Sequence, residues 1–179
     1  MSDVTILVVE DHQILREGLQ ILLETEGFKV CTAEHGRLAL EQMQTCVPDL
    51  ILSDISMPEM DGFQFYNVVR SRPEWVTVPF IFLTARGERD DVFASKKLGV
   101  EDYLVKPVDR QELVTTIRSR LDRTQQLMLA QLEQAYQASL IMLANAIELR
   151  DEYTRGHVDR VMDLCSMIAQ HMGWSPIQI

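Results

Sequence analysis

The sequence predicts an α/β fold: a five-stranded, doubly wound parallel sheet of the flavodoxin-like kind, followed by a long C-terminal helix. Three observations predict it. Short apolar runs alternate with helical patterns from the first residues onward. Several of those runs are apolar on both faces, as strands are when helices cover both sides of a parallel sheet. Beyond Asp122 the chain then carries no proline or glycine before Gly156 and is rich in Leu, Gln and Ala, which reads as one long helix.

The elements follow in order. "VTILVV" (Val4–Val9) reads as the first strand. Leu15, Leu19 and Leu22 recur at helical spacing after it, and Gly27 suits the C-terminal cap of that helix. "FKVCTA" (Phe28–Ala33) is the second strand and Gly36–Cys46 a second helix. "DLILS" (Asp49–Ser53), the helix Asp61–Arg72, "VPFIFLT" (Val78–Thr84) and the helix Glu88–Leu98, stopped by Gly99, continue the alternation. "DYLV" (Asp102–Val105) is the fifth strand, and Leu113, Ile117 and Leu121 mark a helix expected to close this part near Arg120. Leu129, Leu132, Tyr136, Leu140, Leu143 and Ile147 then form a stripe at spacings of three or four. Such a stripe serves either a helix folding back on its own domain or a parallel coiled-coil homodimer. The organisation expected is residues 1–122 as a compact domain, 123–150 as a helical linker and 151–179 as the start of a further helical domain.

Composition excludes several classes. The 179 residues are 46% hydrophobic, as in a globular chain, and no apolar run approaches the length of a membrane span. The net charge is −10, and neither side of Arg120 carries a net positive charge. Nucleic acid and anionic membrane are therefore not expected partners. Three cysteines without paired spacing fit reduced thiols, and the start "MSDVTILVVED" lacks the pattern of a secretion signal, so a cytoplasmic location is expected.

In open α/β sheets ligands gather at the carboxyl ends of the strands. Those ends supply Glu10 and Asp11, Asp54, Thr84 and Lys106. Three carboxylates brought together raise one another's pKa unless a cation neutralises them. Oxygen ligands of this kind suit Mg²⁺, which keeps several waters and needs few protein oxygens. A carboxylate so placed can attack phosphorus and form an acyl phosphate, with Lys106 and the Thr84 hydroxyl stabilising the transferred charge.

"VVEDH", "LILSDISMPEMDG", "FLTA" and "EDYLVKP" together resemble the signature motifs of the receiver domain of two-component response regulators, covering Met1 to about Arg120. The resemblance implies that Asp54 accepts a phosphoryl group from a sensor histidine kinase or a phosphotransfer protein. It implies Mg²⁺ held by Glu10, Asp11, Asp54 and the backbone carbonyl of Ser56. Glu10 replaces the aspartate common at that position, so a contact to the metal through water is implied. Thr84 and Tyr103 match a switch pair, Lys106 a partner of the phosphate, and the bond before Pro107 is implied to be cis. A haloacid-dehalogenase-like phosphatase also uses an aspartyl phosphate, but it needs an aspartate two residues after the nucleophile, where this chain has Ser56.

Near the end, "LANAIELRDEYTRGHVDRVMDLCSMIAQHMGW" resembles the first helix of HD-GYP metal-dependent phosphohydrolases, which hydrolyse cyclic di-GMP at a di-iron or di-manganese centre. Asp151, Thr154, His157, Arg160 and Val161 carry that resemblance in the spacing D-x-x-T-x-x-H-x-x-R-V. The family's other ligands, a His-Asp pair and later histidines, do not occur here. His171 is about four helical turns from His157, too far to share a metal with it. His157 alone is an incomplete site, and no hydrolytic activity is expected of this chain. The expected function is a response regulator whose phosphorylated receiver controls an HD-GYP-type output truncated here. A free-standing receiver that acts by binding partners, with its last helix serving dimerisation, is the alternative.

Overall fold

The computed structural model describes residues 4–85, 102–150 and 157–174. Strands β1 (Thr5–Val9), β2 (Lys29–Ala33), β3 (Leu50–Asp54), β4 (Phe80–Thr84) and β5 (Asp102–Val105) form one sheet in the order β2-β1-β3-β4-β5. Every pairing in it is parallel. The described helices are α1 (Gln13–Thr25), α2 (Gly36–Met43), α3 (Gly62–Ser71), α4 (Arg110–Arg150) and α5 (His157–His171). The predicted parallel sheet and long C-terminal helix are thus present. The helix expected over Glu88–Leu98 lies outside the described residues.

Alternation along the strands builds two cores. Leu7, Val9, Ile51, Phe80 and Phe82 point to one face, where Ala39 and Met43 of α2 and Phe65, Tyr66 and Val69 of α3 cover them. Ile6, Val8, Leu50, Leu52, Ile81 and Leu83 point to the other, under Leu23 of α1 and Leu113 and Ile117 of α4. All five residues of β3 and of β4 are buried, so these strands hold the sheet together. Each Leu, Ile or Phe side chain so placed contributes roughly 1.5–3 kcal/mol relative to exposure. Phe80 and Phe82 stand 4.6 Å apart between centroids, and Tyr66 meets Phe80 edge-on at 5.2 Å, which locks α3 onto β4.

Local chemistry sets the helix ends. Gly27, at φ 91°, ends α1 in a Schellman arrangement, its N–H bonded to Glu24 O and that of Phe28 to Leu23 O. Asp61 caps α3 by accepting from Gln64 N at 2.7 Å, and Asp109 caps α4 by accepting from Gln111 N and Glu112 N. Each cap is worth about 1 kcal/mol.

Two details differ from the sequence reading. Leu15 is 47% exposed, so the buried face of α1 is formed by Leu19, Leu22 and Leu23 instead. β4 starts at Phe80, because Val78 closes a turn onto Trp75 O and Pro79 has no N–H to give the ladder. The helix bearing Leu113, Ile117 and Leu121 and the long helix after Asp122 are one element, α4, running from Arg110 to Arg150.

The chain divides into two compact units that meet between Gln126 and Leu127. The sheet and the first turns of α4 form the first. In the second, Leu129, Leu132, Tyr136, Leu140 and Leu143 of α4 are exposed, as are Val161, Leu164, Met167 and Ile168 of α5.

Candidate functional site

The strand order changes direction between β1 and β3, and that is where an open sheet of this kind leaves a crevice at its carboxyl edge. Glu10 and Asp11 leave the end of β1 at this point, and Asp54 is the last residue of β3. One carboxylate oxygen from each of the three lies within 4.8 Å of the others. Glu10 and Asp54 are buried, while Asp11 is exposed and opens the cluster to solvent.

Lys106, directly after β5, reaches the same point. Its Nζ lies 2.7 Å from Glu10 Oε2 and 2.9 Å from Asp54 Oδ2. The other oxygen of Asp54, Oδ1, accepts from Ile55 N at 2.8 Å, so both its oxygens are held and the carboxylate has one orientation. Lys106 N donates to Thr84 O at 2.8 Å, fixing the β5 end to the β4 end, and the Lys106–Pro107 peptide is cis.

Electrostatics follows from burial. Desolvation raises the pKa of Glu10 above its ordinary value, the charge of Asp54 adds to this, and the hydrogen bond and charge of Lys106 oppose it. Burial by itself would lower the pKa of Lys106; its hydrogen bonds to Glu10 and Asp54 outweigh that and hold it above the ordinary value. Lys106 is therefore firmly cationic, while Glu10 takes up a proton more readily than a solvated glutamate.

Thr84 is fully buried at the end of β4, one residue past the partner of Asp54 in the ladder, and its hydroxyl donates to Ala85 O. Tyr103 is half-buried and packs against the core that holds Phe82. Ser56 lies in the loop after β3, its side chain exposed. The five strand-end residues singled out from the sequence thus converge on one rim. His157 begins α5, in the other unit, and its side chain is outside the described residues. His171 closes the same helix about 21 Å away along the axis. Among the described residues, Glu10, Asp11 and Asp54 are the one acid, histidine or cysteine group close enough to hold a metal.

Two residues of this site escape sequence reasoning. Gly62 brings the start of α3 against β3: a Cβ there would collide with the carbonyl oxygen of Asp54 and stand 2.9 Å from Ile55 Cα. The "MDG" tripeptide held that signal, but only the packing says why glycine is needed. Arg16 is the second. Its Nη1 donates to Glu10 O at 2.6 Å and Asp11 O at 3.2 Å, and its Nη2 pairs with Glu34.

The donor set suits Mg²⁺. It is all oxygen and carries three carboxylates, so Glu10, Asp11 and Asp54 would hold such an ion.

Comparison with known proteins agrees with this geometry. The family model of the response regulator receiver domain matches residues 6–118. The "uncharacterized 14.6 kDa protein in sodA1 3'region" of Leptolyngbya boryana is 40% identical over 118 residues, which are 66% of this chain and 90% of that protein. Response regulator Rre1 of Synechocystis sp. is 37% identical over 123 residues, 68% of this chain and 53% of Rre1, so the chain spans about half of that relative's length. Among solved structures, the chemotaxis response regulator CheY4 of Vibrio cholerae superposes with a TM-score of 0.62 at 31% identity, covering 66% of this chain and 99% of CheY4.

Proposed function

Since the chain belongs to the response regulator receiver family, we propose that it is a phosphorylation switch with Asp54 as the acceptor. The observation that carries this reading is the contact of Lys106 with Asp54 and Glu10 beside the Asp11 carboxylate. The donor is a phosphohistidine of a sensor kinase or phosphotransfer protein in the cytoplasm. An Asp54 oxygen forms the bond to phosphorus, the donor's phosphorus–nitrogen bond breaks, and the electron pair stays on the imidazole. Glu10, Asp11, Asp54 and the Ser56 carbonyl would hold Mg²⁺, which when bound neutralises charge on the oxygens of the transferred group.

Phosphorylation adds roughly −1.5 to −2 charges beside acids. Lys106 takes up part of that charge by moving its hydrogen bonds from carboxylate to phosphoryl oxygen. The Thr84 hydroxyl supplies a further donor and turns toward the phosphate, and Tyr103 follows inward behind it. Contacts made only in the phosphorylated state bias two pre-existing arrangements, and a coupling of about 1–3 kcal/mol is enough for a switch.

The output reading has two parts. The exposed stripe Leu129, Leu132, Tyr136, Leu140 and Leu143 fits a parallel coiled coil with a second copy of α4. The sequence from Asp151 to Val161 fits the opening helix of an HD-GYP-type phosphodiesterase, whose di-iron or di-manganese centre would take His157 as one ligand. Its support is the motif spacing alone.

Acetyl phosphate with Mg²⁺ tests the acceptor: one phosphoryl group on the wild type and none on Asp54→Asn supports it, and equal labelling rejects it. Reading the coding sequence past Ile179 tests the output: a His-Asp pair and a G-Y-P motif support it, and a stop codon rejects it.

A further inference from the structure

The Arg16 side chain is only 12% exposed, although it is charged and lies on the first turn of a surface helix. What it is buried against is backbone. One guanidinium nitrogen donates to two successive carbonyls, Glu10 O at 2.6 Å and Asp11 O at 3.2 Å, and the other donates to Glu34 Oε1 at 3.1 Å. Glu10 N in turn donates to Ala33 O, so the turn after β1 is tied to the end of β2 by backbone as well as by the Arg16 side chain.

We propose that Arg16 is a positioning residue for divalent-cation binding: its fork fixes the peptide planes of Glu10 and Asp11 so that both carboxylates face Asp54. This rests on the reading of those three acids as a Mg²⁺ site. The physical reason is geometric. Glu10 and Asp11 are adjacent, and adjacent side chains of an extended segment point to opposite sides. They converge only if the chain turns sharply between them and stays turned. At the start of α1, the backbone N–H of the N-cap His12 donates to Glu10 Oε1 at a long 3.4 Å, and the His12 side chain makes no capping bond. The planar guanidinium supplies the constraint by engaging both carbonyls and a third group together. A lysine, a point charge on a flexible stem, does not hold that fork.

Groups that orient metal ligands without touching the ion typically change affinity about 10–100-fold when removed. Calorimetric titration of the full chain with Mg²⁺ is the test, on wild type, Arg16→Ala, Arg16→Lys and Asp11→Asn. Arg16→Ala is expected to weaken Mg²⁺ binding by about tenfold or more. Its acetyl phosphate labelling should then need more Mg²⁺ for half-saturation while reaching the wild-type plateau, a split that simple loss of fold does not produce. Arg16→Lys is expected to bind Mg²⁺ like Arg16→Ala, and it decides the matter should the alanine variant not fold. Wild-type Mg²⁺ affinity in either variant overturns the positioning role. Wild-type affinity in Asp11→Asn instead overturns the metal site on which the role rests, so the two failures are distinguishable.

Discussion

The ammonium of Lys106 lies 2.9 Å from the carboxylate of Asp54, and the same nitrogen lies 2.7 Å from Glu10. One cation from the end of β5 thus holds together acids from the ends of β1 and β3. Glu10 is 1% exposed, so its charge has almost no water to turn to.

Removing that cation should therefore destabilise the metal-free protein. In EDTA, Lys106→Met is expected to lower the unfolding free energy by about 1–3 kcal/mol, less than the 3–5 of a fully buried pair because Lys106 retains some solvent. Urea titration reads it. An unchanged midpoint would show that the pair contributes nothing to the fold.

The raised pKa of Glu10 makes a prediction of opposite sense. Its folded value lies above the ordinary 4.5, so the folded state binds a proton that the unfolded state has released. Stability must then fall as pH rises from about 4.5 through the raised value, and that loss persists at neutral pH. Glu10→Gln, which cannot ionise, is expected to be the more stable protein at pH 7 in EDTA, with a flatter profile across that window. Saturating Mg²⁺ should reverse the order, because the metal needs the carboxylate. Thermal melts from pH 4 to 8 test both halves. For Lys106 the sign is the usual one: its raised value gives stability that is full below 10.5 and lost as pH climbs through the folded value.

Gly62 and Gly18 form a contrasting pair. A methyl on Gly62 meets the backbone of Asp54 and Ile55, whereas one on Gly18 meets nothing within 4 Å. Gly62→Ala is expected to cost about 1–3 kcal/mol and to slow labelling of Asp54 by displacing it. Gly18→Ala, in the middle of α1, should add about 0.5–1 kcal/mol by helix propensity and leave labelling alone. Equal stability of the two variants would contradict the close approach of α3 to β3.

The exposed leucines of α4 predict self-association. Wild type is expected to sediment as a dimer at micromolar concentration, and Leu132→Asp with Leu140→Asp as a monomer still labelled on Asp54. A wild type that stays monomeric at every concentration would remove the coiled-coil reading.

The five strands were legible because each lies in a short, largely apolar run set between helical patterns. The site was legible because Glu10, Asp11, Asp54, Thr84 and Lys106 each follow or end such a run. What misled was one-dimensional periodicity: Leu15 has the spacing of a core residue, but the helix rolls so that Leu23 takes that place. That the compact part and the long helix share one element, α4, was not visible for a related reason. A change in composition alters what a helix packs against without altering its backbone, and α4 continues through it.

By itself the sequence determined which residues lie at strand ends and which chemistry they carry, because burial on two faces and the choice of Asp, Glu, Thr and Lys are written in residue type. Only the tertiary structure decided that Lys106 bridges Glu10 and Asp54, that Gly62 must lack a Cβ and that Arg16 grips two carbonyls from behind. Those are distances between segments remote in the chain. They are set by the parallel order β2-β1-β3-β4-β5 and the close packing of helices on it, which no local pattern of residues encodes.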